Sequence, residues 1–555
     1  MSRNPSATLA LIALAVIGTL VTACSSGASN TATSSSSKPV YGGSITYGAD
    51  REPTCLDPHN TGDMPQTYIA RQYLDSLVSE LPDGTVVPWL ATSWTVSPNG
   101  KTYIFNLKRN VKFTDGTPLN AQAVVDNFEQ ELNPATESST DWGYLQPYYA
   151  SSKALSTYTV QLNLKRPDSP LLDELAQAFF GIESPKAMAR GLAANCQSPV
   201  GTGPFIVKQW IHGQSVTLVR NAHYNSAPAN AEHQGPAYLS EITWRFLEEP
   251  SVRYAALENG QANLIFNIPP EDQTAAEHNP DLTVQQFVHS GQPNNITLNS
   301  SQPPFNQLAV REAFLDGANA AASVKSAFFG AYPLDQTPLS TGTPDYNPAV
   351  ASAYAYNPAK AEKLLDEAGW TGRNSSGYRT KDGKVLTATM PYSSNTGDTP
   401  PEVLTLYQDI QAAEKQIGFD LVLKPEAEAT FDNLFAKYLP KAYNAVGDSY
   451  WNSPTPAVLY IVYSPTTAAL PNPNNGDYES NPTLDNILLQ ATATTNRAEQ
   501  KTLYGQAQQI AQSEAWELDL WPVTTDLGIS KSLHGVWIEP SEGEPVLSDA
   551  WLAKS

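Results

Sequence analysis

The sequence predicts an α/β fold of at least two lobes, and three observations carry that prediction. The chain has 555 residues, more than one hydrophobic core organises. Its first half reads mainly as strands. Its second half alternates helix and strand signals between 357 and 451, the pattern of an α/β layer.

Ahead of the folded part, residues 1–6 carry one charge, Arg3, and residues 7–23 carry none and are rich in Ala, Leu, Ile and Val. That run is short for a bilayer-spanning helix, which needs about 20 apolar residues. It has the order of a secretory signal: basic start, apolar middle, small residues before a cut. Leu20-Val21-Thr22-Ala23-Cys24 resembles a bacterial lipobox, which implies that Cys24 is lipidated and begins the mature chain. An ordinary signal peptide with an incidental cysteine is the alternative. Two acyl chains hold stably where one is marginal. Residues 25–37 are only Ser, Thr, Ala, Gly and Asn, so residues 24–40 read as a flexible tether. No later segment reaches 18 uncharged apolar residues, so nothing else is expected to span a bilayer.

The elements then follow in order. GGSITYGA (42–49) reads as a strand. GKTYIFNL (100–107) places Tyr103, Phe105 and Leu107 on one side, the period of a half-buried strand. Asp115-Gly116 makes a turn, and Asn120 caps a helix with Val124, Val125, Phe128 and Leu132 on one face. STYTVQLNL (156–164) returns to a strand. In NPAKAEKLLDEAGW, Asn357 caps, Pro358 suits the first helical position, Leu364, Leu365 and Ala368 line a face, and Gly369 stops the helix. A strand at 386–393, a helix at 402–418, a strand at 419–424, a helix at 429–438 and a strand at 443–451 complete the alternation.

Charge excludes one class of partner. With 33 basic and 55 acidic residues the net charge is −22, which repels phosphate backbones, so nucleic acid is not expected. With Cys24 lipidated, Cys55 and Cys196 remain, an even pair that suggests one disulfide in an oxidising compartment. It would close a loop of roughly 140 residues, on the order of 4–5 kcal/mol in the chain-entropy model; two buried free thiols are the alternative. There is no Cys-x-x-Cys, and the seven His show no i, i+4 or His-x-His pairing, so neither a metal site nor a cofactor is expected. Gly447-Asp448-Ser449-Tyr450 matches the Gly-Asp-Ser start of one esterase class, but no Asp-x-x-His follows it. Gly-x-Ser-x-Gly and Gly-x-Gly-x-x-Gly are also missing. No enzyme is expected; a secreted serine hydrolase with a triad drawn from distant residues is the remote alternative.

SPVGTGPF (198–205) resembles the most recognisable motif of the family 5 extracellular solute-binding proteins, the peptide- and nickel-type receptors of ABC importers. Residues 88–129, 218–225, 239–265, 298–314, 356–370 and 503–522 resemble further family blocks in the same order, over essentially the whole mature chain. The resemblance implies a two-lobed periplasmic-binding-protein-like clamp, type II and cluster C, with an extra subdomain in lobe one. Lobe one is expected over 41–296, with the inserted subdomain at about 88–198, and again over 524–555. Lobe two is expected over 297–523. The implied protein is a monomeric, lipid-anchored receptor on the outer face of the cytoplasmic membrane. It would bind peptide or a peptide-like ligand between its lobes and deliver it to an ABC permease. A non-peptide solute (oligosaccharide, modified peptide or metal chelate) is the alternative cargo.

Family peptide receptors carry, after a lobe-two Trp, an Asp-Pro whose Asp pairs with the ligand's amine. Here Trp451 matches the Trp, but Thr455-Pro456 stands where Asp-Pro is expected, with Asp448 as a nearby substitute. The expected ligand contacts are Trp451, Tyr450, Asn452, Asp448, Glu52, Phe180 and Gly181. Four of these have a plainer alternative: core packing for Trp451 and Tyr450, a loop cap for Asn452, a solvated charge for Glu52. Gly201, Thr202, Gly203 and Pro204 read as a structural turn.

Overall fold

The computed structural model describes residues 38–60, 64–136, 138, 141–427, 430–431, 442–464, 472, 474–477 and 481–553. Cys24, the signal, nearly all of the tether and most of the helix expected over 429–438 lie outside the described residues.

The first core is built on a seven-stranded sheet ordered Leu282–Val288, Thr524–Ser530, Leu264–Phe266, Ser44–Ala49, Glu241–Phe246, Ser215–Arg220, Phe205–Ile211. Alternation along SITYGA buries Ile45, Tyr47 and Ala49. Tyr47 stacks on its register partner Trp244 with ring centroids 3.7 Å apart, a cross-strand pair that helps fix the alignment. Ser44–Ala49 runs parallel to both Glu241–Phe246 and Leu264–Phe266. All three therefore end at the same edge, and Asp50, Glu248 and Asn267 stand at or just beyond their carboxyl ends.

A second sheet, antiparallel, follows the order Ala91–Val96, Thr102–Leu107, Thr159–Leu164, Tyr149–Ser156. Tyr103, Phe105 and Leu107 share its core with Val124, Val125 and Phe128 of the helix Ala121–Glu131. The Asn120 side chain caps that helix by accepting from the Ala123 N–H at 2.9 Å. Glycine is required in SPVGTGPF for close approach: a Cβ at Gly201 would stand 2.0 Å from the Tyr73 carbonyl oxygen, and one at Gly203 2.5 Å from the Tyr73 carbonyl carbon. Cys55 and Cys196 are joined in a disulfide.

The other main core gathers around the three-stranded sheet Ala445–Ser449, Asn294–Leu298, Glu517–Trp521 and the parallel pair Thr387–Ser393 and Asp420–Glu426. The helices Leu308–Gly317, Pro358–Glu367 and Pro401–Ile417 pack on it. Asn357 caps the second of these by accepting from the Lys360 N–H at 3.0 Å, and the third stops at Gly418. The chain crosses between the two main sheets at 289–293 and again at 522–523, where strands paired on one side continue into strands paired on the other. Among the described residues, no helix is long and apolar enough to cross a membrane.

Candidate functional site

The carboxyl ends of parallel strands are where α/β sheets present loops to a ligand, and two such edges meet here. One carries Asp50, Arg51, Glu248 and Asn267. The other is the loop that follows Thr387–Ser393, with Thr396, Gly397 and Asp398, leading into the helix Pro401–Ile417. Between them lies a cavity of about 130 Å³, lined also by Phe328, Tyr332, Tyr450 and Trp521.

Its polar groups are held in place from behind. The Arg253 guanidinium donates to the carbonyls of Leu247 (2.7 Å), Phe266 (2.7 Å) and Asn267 (3.0 Å), tying two strand ends together. Asn267, in the left-handed region at φ 55°, donates from Nδ2 to Asp50 Oδ2 at 2.9 Å. Arg51 forms an ion pair with Asp398 across the cavity, and Asp398 also accepts from Ser393 Oγ at 2.8 Å. Burial pushes the Glu402 carboxyl up, with Arg253 pulling the other way. The Asn294 Oδ1 atom on the wall is buried without a hydrogen-bond partner. The cavity thus offers carboxylates, amides and aromatic faces, suited to hydrogen bonding and stacking.

A second contact joins the antiparallel sheet region to the segment 451–500. The Trp451 indole N–H donates to Tyr144 Oη at 3.0 Å, and the Tyr144 hydroxyl donates to the Asn452 carbonyl at 3.3 Å. Gly143 leaves room for this contact, since a Cβ there would stand 3.1 Å from Ile461 Cγ2 and 3.4 Å from Trp451 Cζ2. Arg166 lies between Tyr148 and Tyr460, 4.3 and 4.7 Å from the ring centroids, and donates to Tyr460 Oη at 2.6 Å. Ser169 N–H donates to the Thr492 carbonyl at 2.8 Å.

The family model for bacterial extracellular solute-binding proteins, family 5 (middle), matches residues 85–469. The chain belongs to that family. Among its relatives, the nickel-binding periplasmic protein of Escherichia coli K12 is 28% identical over 478 residues, covering 82% of this chain and 86% of that one. The glutathione-binding protein GsiB of the same strain is 30% identical over 501 residues, covering 88% and 91%. The solved structure of the ABC transporter-associated periplasmic binding protein DppA from Helicobacter pylori, in complex with the peptide STSA, aligns with TM-score 0.79 at 22% identity. That alignment covers 93% of this chain and 99% of that one. The fold is therefore the two-lobed α/β architecture of periplasmic binding proteins, and the relatives are binding proteins rather than enzymes.

In this family 5 chain, Tyr450 alone of the expected contacts whose side chains are described lines the cavity described above. Trp451 and Asn452 are placed at the Tyr144 contact, and the Asn452 Oδ1 atom is buried without a partner. Asp448 stands in the strand Ala445–Ser449, and its side chain lies outside the described residues. Glu52 is drawn away from the cavity: its carboxylate accepts from the Trp210 indole N–H and the Gly213 N–H, both at 2.7 Å, and faces His212 Nδ1 at 3.1 Å. Phe180 is buried edge-on against Tyr144. Gly181 packs where a Cβ would come 2.6 Å from Leu74 Cβ, and its carbonyl faces His59 Nε2 at 2.9 Å. Thr455 is 8% exposed, and its hydroxyl accepts from the Ala457 N–H at 3.3 Å ahead of the helix Val458–Tyr463. Asp50, Arg51, Asn267, Asp398 and Glu402 were not singled out from sequence. The available signal was their position at or beyond the end of a strand pattern or at the start of a helix.

Proposed function

We propose that this chain is the receptor subunit of an ABC importer, tethered through a lipidated Cys24 to the outer face of the cytoplasmic membrane, which binds a peptide or peptide-like solute between two hinged lobes and passes it unchanged to a permease. The observation that carries this reading is the cavity whose walls come from both cores, with Arg51 and Asp398 meeting across it. Lobe one comprises the seven-stranded sheet, the inserted antiparallel sheet and the segment from 524 onward; lobe two lies between the crossings at 289–293 and 522–523. A ligand touching both lobes stabilises the closed form by the contacts it makes only there. Tyr450, Trp451, Asn452 and Asp448 belong to the lobe-two segment that meets the ligand, with Tyr450 on the cavity wall.

A second reading, a cargo without a free amine such as an oligosaccharide, a modified peptide or a metal chelate, is favoured by Thr455. This buried hydroxyl caps a turn where the family resemblance places an amine-pairing acid. One experiment tests the receptor and separates the cargoes. Protein purified without refolding is denatured, and the released small molecules are identified by mass spectrometry. Each is then returned to ligand-free protein. The true cargo raises stability by about 2.7 kcal/mol at a hundredfold excess over Kd and is recovered intact. Turnover of the bound molecule, or no stabilisation by any released compound, refutes the reading.

A further inference from the structure

Asp57, His59 and Glu183 are buried together outside the cavity lining, although Asp57 and His59 lie in sequence between the cavity residues Arg51 and Met64. Their exposures are 0%, 1% and 0%. One donor atom from each lies within 4.8 Å of the others. That is about the span set by two bonds of about 2.0–2.4 Å to a shared ion.

The surroundings orient the three side chains. Asn195 Nδ2 donates to Asp57 Oδ2 at 2.7 Å and also to Glu183 Oε2, fixing one oxygen of each carboxylate. Asn195 precedes Cys196, and Asp57 lies two residues after Cys55, so the disulfide holds together the segments that carry both. Asn127 bonds the backbone of Glu183 on both sides, accepting from its N–H at 2.8 Å and donating to its carbonyl at 2.9 Å. The nearest cation on this network, Arg190, directs donors to the carbonyls of Ala187 and Ser198 and to Asn195 Oδ1.

His59 supplies the observation that points to an ion. Its Nε2 faces the Gly181 carbonyl at 2.9 Å and Glu131 Oε1 at 3.0 Å. A carbonyl accepts only, so the ring proton sits on Nε2. Nδ1 is left with its lone pair, buried without a hydrogen-bond partner and 3.9 Å from Asp57 Oδ1. Glu183 Oε1 is likewise buried and without a partner. A lone pair and two carboxylates converging in a dry site repel one another unless something positive lies between them. An imidazole whose outer N–H is anchored by a carbonyl or carboxylate, with the other nitrogen aimed inward, is the usual arrangement behind a metal-ligating histidine.

We propose that Asp57, His59 and Glu183 form a structural binding site for a divalent transition cation, of the Zn²⁺ or Mn²⁺ class. The imidazole nitrogen selects such an ion over Ca²⁺ and Mg²⁺, which take oxygen ligands. Three protein donors leave room for a water in the fourth position of a tetrahedral ion. The site joins the segment after Cys55 to the segment that follows Gly181. The histidine and cysteine spacings searched in the sequence do not reveal it, because its ligands lie at 57, 59 and 183.

The test uses the untagged full chain, stripped with chelator and dialysed against ZnCl₂, MnCl₂, MgCl₂ or CaCl₂ alone. The expected result is one equivalent of zinc or manganese retained per chain by elemental analysis, with a higher melting temperature than the stripped protein. Magnesium and calcium are not retained. Co²⁺ in place of zinc is expected to give visible ligand-field bands that His59→Gln removes. Glu183→Gln should lower retention at least tenfold. If these buried substitutions prevent folding, the wild-type protein alone decides. Stripped wild-type chain that is folded by circular dichroism, melts at the same temperature with or without zinc and manganese, and retains neither overturns the proposal. So does metal retained equally by a folded His59→Gln variant.

Discussion

Replacing Asp398 by Asn tests whether the ion pair across the cavity holds the closed form. The substitution keeps the shape and an acceptor oxygen for Ser393 but removes the charge that faces Arg51. A hydrogen bond to a charged group contributes about 1.5–3 kcal/mol. The two side chains are 16% and 12% exposed, so water recovers part of that, and an expected loss of about 1–2 kcal/mol remains. If the pair forms only when the lobes approach, the whole loss falls on the closed state, and ligand affinity drops by roughly 5- to 30-fold. Isothermal titration with the identified cargo reads the affinity, and small-angle scattering reads the radius of gyration with and without it. Arg51→Gln should give the same loss, and the double variant no more than either alone. Unchanged affinity in Asp398→Asn, with unchanged scattering of the ligand-free protein, refutes the idea that this pair contributes to closure.

Three further outcomes follow from the geometry. Gly291 lies in the first crossing at φ +118°, and a Cβ there would stand 2.1 Å from the Trp451 carbonyl oxygen; Gly291→Ala should therefore separate the crossing from the Trp451 segment and weaken ligand binding at least tenfold by titration. Burial pushes the Glu539 carboxyl up to about 7 from 4.5, against the pull of Arg71. The folded state thus holds a proton that the unfolded state releases, and this contribution, present below pH 4.5, is lost as pH rises towards 7, on the order of 3 kcal/mol. Melting temperature should fall between pH 5 and 8, and Glu539→Gln should flatten that slope. Finally, the Cys55–Cys196 bond spans 141 positions, so Cys55→Ser with Cys196→Ser should cost on the order of 4–5 kcal/mol in denaturant unfolding, with the fold retained by circular dichroism.

The elements readable from sequence are those whose signals are local. Asn120 and Asn357 cap the helices they precede because each side chain accepts from an amide three residues on, within one turn. The strands at 44–49 and 102–107 were legible because burial alternates along them. The cleft was less legible because its groups gain meaning only from pairing. Asp50 and Asn267 become neighbours because Ser44–Ala49 runs parallel to Leu264–Phe266, a register that no spacing encodes. Glu52 shows the opposite limit. It follows the right strand, yet the hairpin of Phe205–Ile211 and Ser215–Arg220 presents the Trp210 indole N–H and the Gly213 backbone N–H, which draw its carboxylate away.

Trp451 shows how the matched motif and the observed geometry fit together. Its match to the family tryptophan suggested a surface for stacking on cargo, whereas its N–H is directed to Tyr144 and its ring meets Tyr144 edge-on at 6.2 Å. The indole packs partly with the first-half core around Tyr144 and Ile461 and partly with the cluster around Val458 and Trp516, so protein packing takes up much of this ring. The contact is made from residues on opposite sides of the crossings at 289–293 and 522–523, so under the proposed hinged closure it would form and break with that motion. Arg166, held between Tyr148 and Tyr460, belongs to the same side, while Arg51 and Asp398 meet at the cavity itself. Under the proposed hinged closure, these two separate places are where the lobes would meet. On that proposal a ligand at Tyr450, on the cavity wall and next in sequence to Trp451, would bear on the aromatic contact through one peptide unit.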